Sequence, residues 1–396
     1  MSTIEVSPVT KVADIEQGIR ALGIVGQPEL RLPERIERSA FGGEAALIQY
    51  IVTWARRFQS GRLLTDIPAS AAAPGHSDPP AEATRLCRWP YGFAAALMAS
   101  DVIANDGKTS VRNVTNRECG RVVDGMSRSL REASYGHRTF LACVEPSTKA
   151  NLPAFYWPDG TVRNRSEFRS LVNRLLDCKA GQFVGEQFDS TIVEGLGNIL
   201  FELFKNTHDW SRTDLTGAPF ARSLRGLLMT RFNMPLAAAR RAAANGWPLE
   251  RYVSGLKGAE DAAFVRILEL SVFDSGPGLA CRWLGSPLSE VTIEQEHEAC
   301  LACLRKHQSS SASAHRGLGL HDVMKTLSPL RAFVRIRTGR LTLYRDFIQN
   351  PLGANEAATG PILFDWSRGR EAVTQFAPAA GLLYTILIPL AAQGAR

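Results

Sequence analysis

The chain has 396 residues, 45% of them hydrophobic and 21% charged, a composition typical of soluble globular proteins with two domains, or with one domain carrying large additions. Its net charge of +7 at pH 7 is compatible with a nucleic acid or an acidic protein partner and identifies neither. It contains no run of about 18 apolar residues and no basic segment followed by an apolar core, so we expect no membrane span and no secretory leader. The seven cysteines are scattered and odd in number, which favours reduced thiols in a cytoplasmic protein.

Residues 1–178 are expected to form the smaller of two units, an α/β or α+β module. Its predicted elements are a strand at Ile4–Val6, helices at Val12–Leu22 and Glu44–Phe58, a loop at 66–81, a helix at Tyr91–Ile103, a strand at His137–Val144 and a helix at Arg163–Leu176. None of them carries a nucleophile elbow, a phosphate-binding loop or metal-ligand spacing. We therefore expect a regulatory or partner-binding module, and its fold stays open.

The first motif of the C-terminal half is a polar stripe on a predicted helix. Glu202, Asn206 and Asp209 are spaced i, i+4 and i+7, so they share one helix face. The amide oxygen of Asn206 can bind Mg²⁺, which prefers oxygen ligands. The carboxylate of Glu202 can orient or deprotonate a water or a hydroxyl group. A solvated helix face has the same pattern, so the stripe alone does not distinguish a nucleotide site from an ordinary exposed surface.

The second motif follows a β-branched apolar run, Val265 to Phe273, which predicts a buried strand. The strand ends in Asp274-Ser-Gly276-Pro-Gly278. A carboxylate beside backbone with little side-chain bulk suits a flat base, because Asp274 can accept from an exocyclic amine while the glycines permit close approach. An ordinary strand-ending turn has the same composition.

The third motif, Gly317-Leu318-Gly319-Leu320, opens a predicted helix that extends to Leu327. Backbone N–H groups at the start of a helix form a natural phosphate site. Arg316 directly precedes the glycines and can meet phosphate oxygens.

The remaining elements are read from the same patterns. The predicted strands and helices are a strand at Leu224–Phe232, a short basic helix at Leu236–Asn245, a helix at Leu288–Arg305, a hairpin of Arg331–Arg337 and Arg340–Asp346 around Gly339, and strands at Ile362–Trp366 and Leu382–Leu390.

Taken together, the order of the three motifs resembles the GHKL ATP-binding superfamily, which includes the DNA gyrase B subunit, large heat-shock chaperones, histidine kinases and MutL. The resemblance covers roughly residues 185–390 and closes with a looser match at Gly381–Pro389. It implies a Bergerat-type α/β sandwich, with helices on one face of a mixed sheet, at residues 179–396. The whole chain would then be α+β, with an insertion at 234–262 and an ATP lid at 284–316.

The resemblance also implies ATP and Mg²⁺ as cofactors and assigns roles to the motif residues. Glu202 would be the catalytic base and Asn206 the metal ligand. The implied nucleotide-binding residues are Asn206, Asp209, Asp274, Gly276, Gly278, Arg316, Gly317, Leu318, Gly319 and Leu320.

Three functions remain open at this point. The leading one is a slow ATPase in which Glu202 activates water and the lid couples nucleotide state to a protein partner or to self-association. The alternatives are an anti-sigma-like protein serine kinase, in which His208 occupies a comparable place, and an interaction module that binds ATP without turnover. A histidine kinase is disfavoured, because His76 lies in a proline-rich loop and His137 in a strand-like run.

Overall fold

A computed structural model describes residues 3–8, 11–24, 26–36, 40–73, 78–146, 151–177, 190–244, 246–256, 264–305, 319–353, 356, 363–367, 369 and 373–390. No helix within these ranges combines the length and the apolar character needed to cross a membrane. The fold is mixed α+β, with one parallel and one antiparallel sheet.

The N-terminal strands form a parallel sheet, in which the described strands are ordered β1-β2-β3-β4. These strands are β1 (Thr3–Glu5), β2 (Glu29–Arg31), β3 (Arg62–Leu64) and β4 (Asp101–Ile103). The helices of this part are α1 (Val12–Leu22), α2 (Gly43–Arg57), α3 (Ala81–Arg88), α4 (Pro90–Met98) and α5 (Arg112–Arg128), with a 3-10 turn at Ala69–Ala72.

The larger sheet has the strand order β11-β10-β9-β12-β8-β7-β6-β5 among the described residues. These strands are β5 (Ser134–Tyr135), β6 (Arg138–Glu145), β7 (Ser223–Pro235), β8 (Phe264–Asp274), β9 (Phe333–Gly339), β10 (Leu341–Asp346), β11 (Phe364–Asp365) and β12 (Ala379–Pro389). The helices are α6 (Arg165–Asp177), α7 (Ser190–Trp210), α8 (Leu236–Ala243), α9 (Trp247–Gly255), α10 (Leu279–Leu284), α11 (Ile293–Leu304) and α12 (Gly319–Leu327), with a 3-10 turn at Leu288–Glu290.

Two expectations about the strands are corrected. The implied mixed sheet is antiparallel at every pairing between its described strands. The helix predicted at Tyr91–Ile103 is wrong beyond Met98, because Asp101 begins β4 and its side chain accepts from the Val102 N–H at 2.8 Å. In addition, β6 pairs with β7, so the larger sheet draws on residues from both sides of the boundary expected at 178.

Helix α2 lies between the two sheets. Its residues from Gly43 to Trp54 are all buried, which is typical of a helix that is covered on every side. It contacts α1 and α4 as well as β8 and β12. The N-terminal layer and the larger sheet therefore share one continuous core.

The two faces of the larger sheet have different partners, because side chains alternate in direction along each strand. Thr385 in β12 faces α2, since a Cβ on Gly42 would lie 2.7 Å from the Thr385 Cγ2. Leu382, three residues earlier, points to the other face, together with its cross-strand partner Asp274. Helix α7 covers this second face with α6 and α12 beside it.

A half-buried carboxylate ties α1 to two buried arginines of the sheet. Glu16 accepts from Arg335 Nη2 at 2.5 Å and from Arg337 Nε at 2.9 Å. The two arginine side chains are 3% and 0% exposed. Removing one partner of a buried ion pair is costly because the remaining charge stays desolvated, so this contact is expected to hold the N-terminal layer in place.

We predict that Glu16→Ala lowers the free energy of unfolding by about 3–5 kcal/mol, because it leaves two buried guanidinium groups without a carboxylate. Urea denaturation measures the change. Gln17→Ala, at an exposed position of the same helix, is the control and should change the value by less than about 0.5 kcal/mol. Equal effects of the two substitutions would contradict the anchoring role.

Candidate functional site

Helix α7 carries the polar stripe and passes close to both of its neighbours. A Cβ on Gly197 would lie 2.6 Å from the Arg169 Cγ of α6, and one on Gly195 would lie 3.1 Å from the Thr326 Cγ2 of α12. Gly197 thus allows the backbone of α6 to approach α7, and Gly195 allows a side chain of α12 to pack against it. The buried face of α7 is supplied by Leu196, Ile199, Leu200, Leu203 and Phe204.

Glu202 lies at the meeting point of α6, α7 and α12. Its carboxylate forms an ion pair with Arg165 at the start of α6, and the Arg165 Nη2 also lies 3.9 Å from Asp322 of α12. A Cβ on Gly319 would overlap the Glu202 Oε2, so the backbone at the start of α12 touches this carboxylate. Burial raises the pKa of Glu202, and Arg165 opposes this shift. A carboxyl group with a raised pKa is a better proton acceptor near neutral pH.

Asn206 and Asp209 differ in how they are engaged. Asn206 is half-buried, and within the described ranges no hydrogen bond occupies its amide. Asp209 is bound by Lys205 of the same helix, with 2.5 Å between the Lys205 Nζ and the Asp209 Oδ2. The amide is therefore available to a ligand, whereas the Asp209 carboxylate is already neutralised on its own helix.

Asp274 ends β8 in the middle of the sheet, between Arg225 of β7 and Leu382 of β12. It is 5% exposed, and its Oδ1 accepts from the Gly276 N–H at 2.9 Å. Burial raises the pKa of Asp274 to about 6, while hydrogen bonds from the backbone and the charge of Arg225 oppose the rise. The sequence thus places a carboxylate that is still ionised at neutral pH deep in an apolar sheet.

The two glycines after Asp274 each stand where a side chain would not fit. A Cβ on Gly276 would lie 2.6 Å from both the Cα and the Cβ of Ser211, the residue that follows α7. Gly278 has a φ of +89°, and a Cβ there would lie 2.7 Å from the Thr338 Oγ1. The Asp274 loop therefore rests directly on the C-terminal end of α7.

These contacts place two of the predicted motifs at two points along one helix. Glu202 meets the Gly319 backbone, and Ser211 meets the Gly276 backbone. Nine residues separate Glu202 from Ser211, which corresponds to about 13.5 Å along a helix axis. The described residues include no cluster of three or more His, Cys, Asp or Glu side chains that could hold a metal by themselves.

The third motif is described only in part. Arg316, Gly317 and Leu318 lie outside the described residues. Gly319 is the first residue of α12, as the helix predicted there requires. Leu320 is 8% exposed and belongs to the hydrophobic core, so its side chain packs inward.

The predicted lid at 284–316 is described as far as residue 305, and this part is firmly packed. Glu296 of α11 is fully buried, and its Oε1 and Oε2 accept from the backbone N and the Nε of Arg340, both at 2.7 Å. Cys300 and Leu304 of the same helix are also buried. These contacts fix the described part of the predicted lid against the rest of the domain.

Several neighbours of the motifs were not found from the sequence. Arg165 was predicted only as part of a helix, and its contact with Glu202 depends on how α6 crosses α7. His208 is held by Tyr156, whose hydroxyl lies 2.9 Å from the His208 Nδ1 and also accepts from Arg225. Burial and the nearby Arg212 and Arg225 lower the pKa of His208 to about 4, so the imidazole is neutral at pH 7.

Comparisons with protein-family models, with curated proteins and with solved structures found no match to this chain.

We predict that Gly276→Ala and Gly319→Ala have different effects. The new methyl at 276 meets the backbone of Ser211, which cannot move aside, so the free energy of unfolding should fall by about 1–3 kcal/mol. The methyl at 319 meets the end of the flexible Glu202 side chain, so it should cost less stability while displacing the carboxylate. Thermal unfolding of both variants measures the difference.

Gly26→Ala is the matched control, since a Cβ there has no atom within 4 Å. A Gly276→Ala protein as stable as this control would show that the Asp274 loop does not rest on the end of α7.

Proposed function

We propose that the chain is a Mg²⁺-dependent ATP-binding protein of the GHKL type, with a Bergerat-type fold in its C-terminal part, and that it hydrolyses ATP slowly. The observation that carries the proposal is the position of α7. This helix contacts the start of α12 through Glu202 and the Asp274 loop through Ser211. A nucleotide has a base at one end and phosphates at the other. The Asp274 loop offers groups suited to the base, and the start of α12 offers groups suited to the phosphates.

The residues present fit such a ligand. Asp274 supplies a buried acceptor for the exocyclic amine of adenine. Asn206 supplies an amide oxygen that has no hydrogen-bond partner among the described residues, which suits a hard cation held mainly by phosphates. Bound Mg²⁺ would neutralise phosphate charge during the reaction. Backbone N–H groups at the start of α12 would donate hydrogen bonds to phosphate oxygens.

Glu202 is the best-placed base of the site. It is half-buried, this partial burial raises its pKa, and it lies against the Gly319 backbone. In its ionised form it can accept a proton from an attacking water. The ion pair with Arg165 holds the carboxylate in one orientation, and it also lowers its basicity. Release of Arg165 towards an incoming phosphate would leave Glu202 more basic at the moment of attack.

We predict that Glu202→Gln abolishes release of inorganic phosphate from ATP while ATP still binds, because the amide cannot accept the proton. Single-turnover hydrolysis and equilibrium binding, measured on the same preparation, separate the two effects. Glu194→Gln is the matched control, since Glu194 lies on the same helix and pairs with Arg169 of α6 at 2.8 Å.

Unchanged turnover in Glu202→Gln would exclude Glu202 as the base. The protein serine kinase uses the same groups with a protein hydroxyl in place of water. Label from γ-phosphate that appears on a co-purified protein, rather than as free phosphate, would favour that alternative.

We predict that adenosine binding weakens as the pH falls through about 6, which is the pKa of Asp274. The ionised Asp274 carboxylate accepts from the adenine amine. Well below pH 6 the ionised fraction of Asp274 falls tenfold per pH unit, so the affinity for adenosine should fall by nearly the same factor. Adenosine is the ligand of choice because it carries no titrating phosphate. Asp274→Asn should bind adenosine weakly at every pH; a parallel pH profile in this variant would assign the effect to another group.

A further inference from the structure

A cleft of about 600 Å³ separates α4 and α5 from the ends of β6 and β7. This volume lies in the range of roughly 300–1,000 Å³ that is typical of small-molecule sites. Its apolar wall comes from Leu97, Met98, Val123 and Val144. The cleft lies between the N-terminal layer and the larger sheet, apart from the residues assigned above to the nucleotide.

One corner of the cleft is cationic. Arg112 and Arg222 both line it, and both donate to the carbonyl of Ala99, just after the C-terminal end of α4, with 2.6 Å between the Arg112 Nη1 and that oxygen. Among the described residues, no carboxylate forms an ion pair with either arginine. Arg112 also donates to the Ala96 and Leu97 carbonyls, and Arg222 also donates to the Met98 carbonyl. Because a guanidinium carries five N–H donors, both side chains still retain donors for a ligand.

The corner holds charges of both signs, since Asp101 lies close enough to Arg112 to oppose the lowering of its pKa. Burial lowers the pKa of both arginines, and for Arg112 the neighbouring Arg222 adds to the effect. Two carboxylates line other parts of the cleft, Glu145 and Asp124. Glu145 is held by Arg212 at 2.8 Å and by Arg225 at 3.0 Å, and Asp124 contributes to the raised pKa of Arg128.

A glycine in the middle of α5 lies at the exposed rim of the cleft. Gly120 lines it, and a Cβ at this position would meet no atom within 4 Å. Glycine inside a helix costs about 1 kcal/mol relative to alanine, and no neighbour of Gly120 requires it.

We propose that this cleft binds a small organic anion, whose carboxylate or phosphate is held by Arg112 and Arg222 and whose apolar body lies along α5. The cleft is also connected to the Asp274 loop. Arg56 Nη2 donates to the Arg222 carbonyl at 2.8 Å and to the Ser275 carbonyl at 3.0 Å. A ligand that shifts Arg222 would therefore act on the residue next to Asp274.

Calorimetry with octanoate and with phenyl phosphate tests the site and separates the two kinds of anion. At least one of them should bind the full-length protein, and its neutral analogue, 1-octanol or phenol, should bind at least about tenfold more weakly, as expected when a charge-assisted hydrogen bond is lost. Arg222→Met should weaken the anion by a similar factor and leave the neutral analogue unchanged.

Gly120→Leu should fill the cleft and weaken the anion by about tenfold or more, while Gly120→Ala should retain most of the affinity. Both substitutions favour the helix, so loss of fold is not expected, and thermal unfolding checks this. The proposal is overturned if neither anion binds, or if Gly120→Leu binds as well as Gly120→Ala. Asp274→Asn should bind the anion as well as the wild-type protein does. The anion test therefore stays valid even if the proposed nucleotide site is wrong.

Discussion

The close approach of α7 to glycine backbone at two points is the constraint on which the rest of the site depends. At Gly319 the start of α12 touches the Glu202 carboxylate, and at Gly276 the Asp274 loop touches Ser211. A side chain at Gly276 would clash with the Ser211 backbone, and one at Gly319 would displace the Glu202 carboxylate. Asp274 is paired across the sheet with Arg225 and Leu382. The position of its carboxylate relative to α7 is therefore fixed.

The N-terminal layer is bound to the larger sheet by polar contacts as well as by apolar ones. The Gly42 N–H donates to Glu269 Oε2 at 2.8 Å, and the Gln49 Nε2 donates to the Arg337 carbonyl at 3.0 Å. Such buried groups favour one arrangement because each is costly to leave unpaired. Glu16 adds a charged contact with Arg335 and Arg337. A change in the N-terminal layer can therefore reach the sheet that carries Asp274, which gives the regulatory role expected for residues 1–178 a physical route.

The sequence predicted long elements well where periodicity was strong. The helix at Val12–Leu22 has the same bounds in the structure, and the hairpin around Gly339 is also present. The strands β2, β3 and β4 have three residues each, which is too short for an alternating pattern to show. Their pairing depends on contacts between segments that are far apart in the sequence. The pairing of β6 with β7 was not predicted for the same reason.

For the candidate site, the sequence supplied the motif residues and their order but not their neighbours. The contact of Gly276 with Ser211 and the ion pair between Arg165 and Glu202 arise from how elements cross, which no local spacing encodes. The packed state of α11 was also not foreseen, because Glu296 is paired with Arg340 from a hairpin far along the chain. Charged residues on a predicted helix read as exposed unless the partner is known.

The most direct test of the account is the affinity for Mg²⁺–ATP, measured by calorimetry for the wild-type protein, Asp274→Asn and Asn206→Ala. Each substitution is expected to weaken binding by about tenfold or more, because each removes one charge-assisted or metal contact of the proposed nucleotide site. Adenosine, which has no phosphates, is expected to lose affinity only with Asp274→Asn. Undiminished binding of Mg²⁺–ATP by both variants would contradict the assignment of the nucleotide site to Asp274 and Asn206, since the nucleotide would then bind elsewhere.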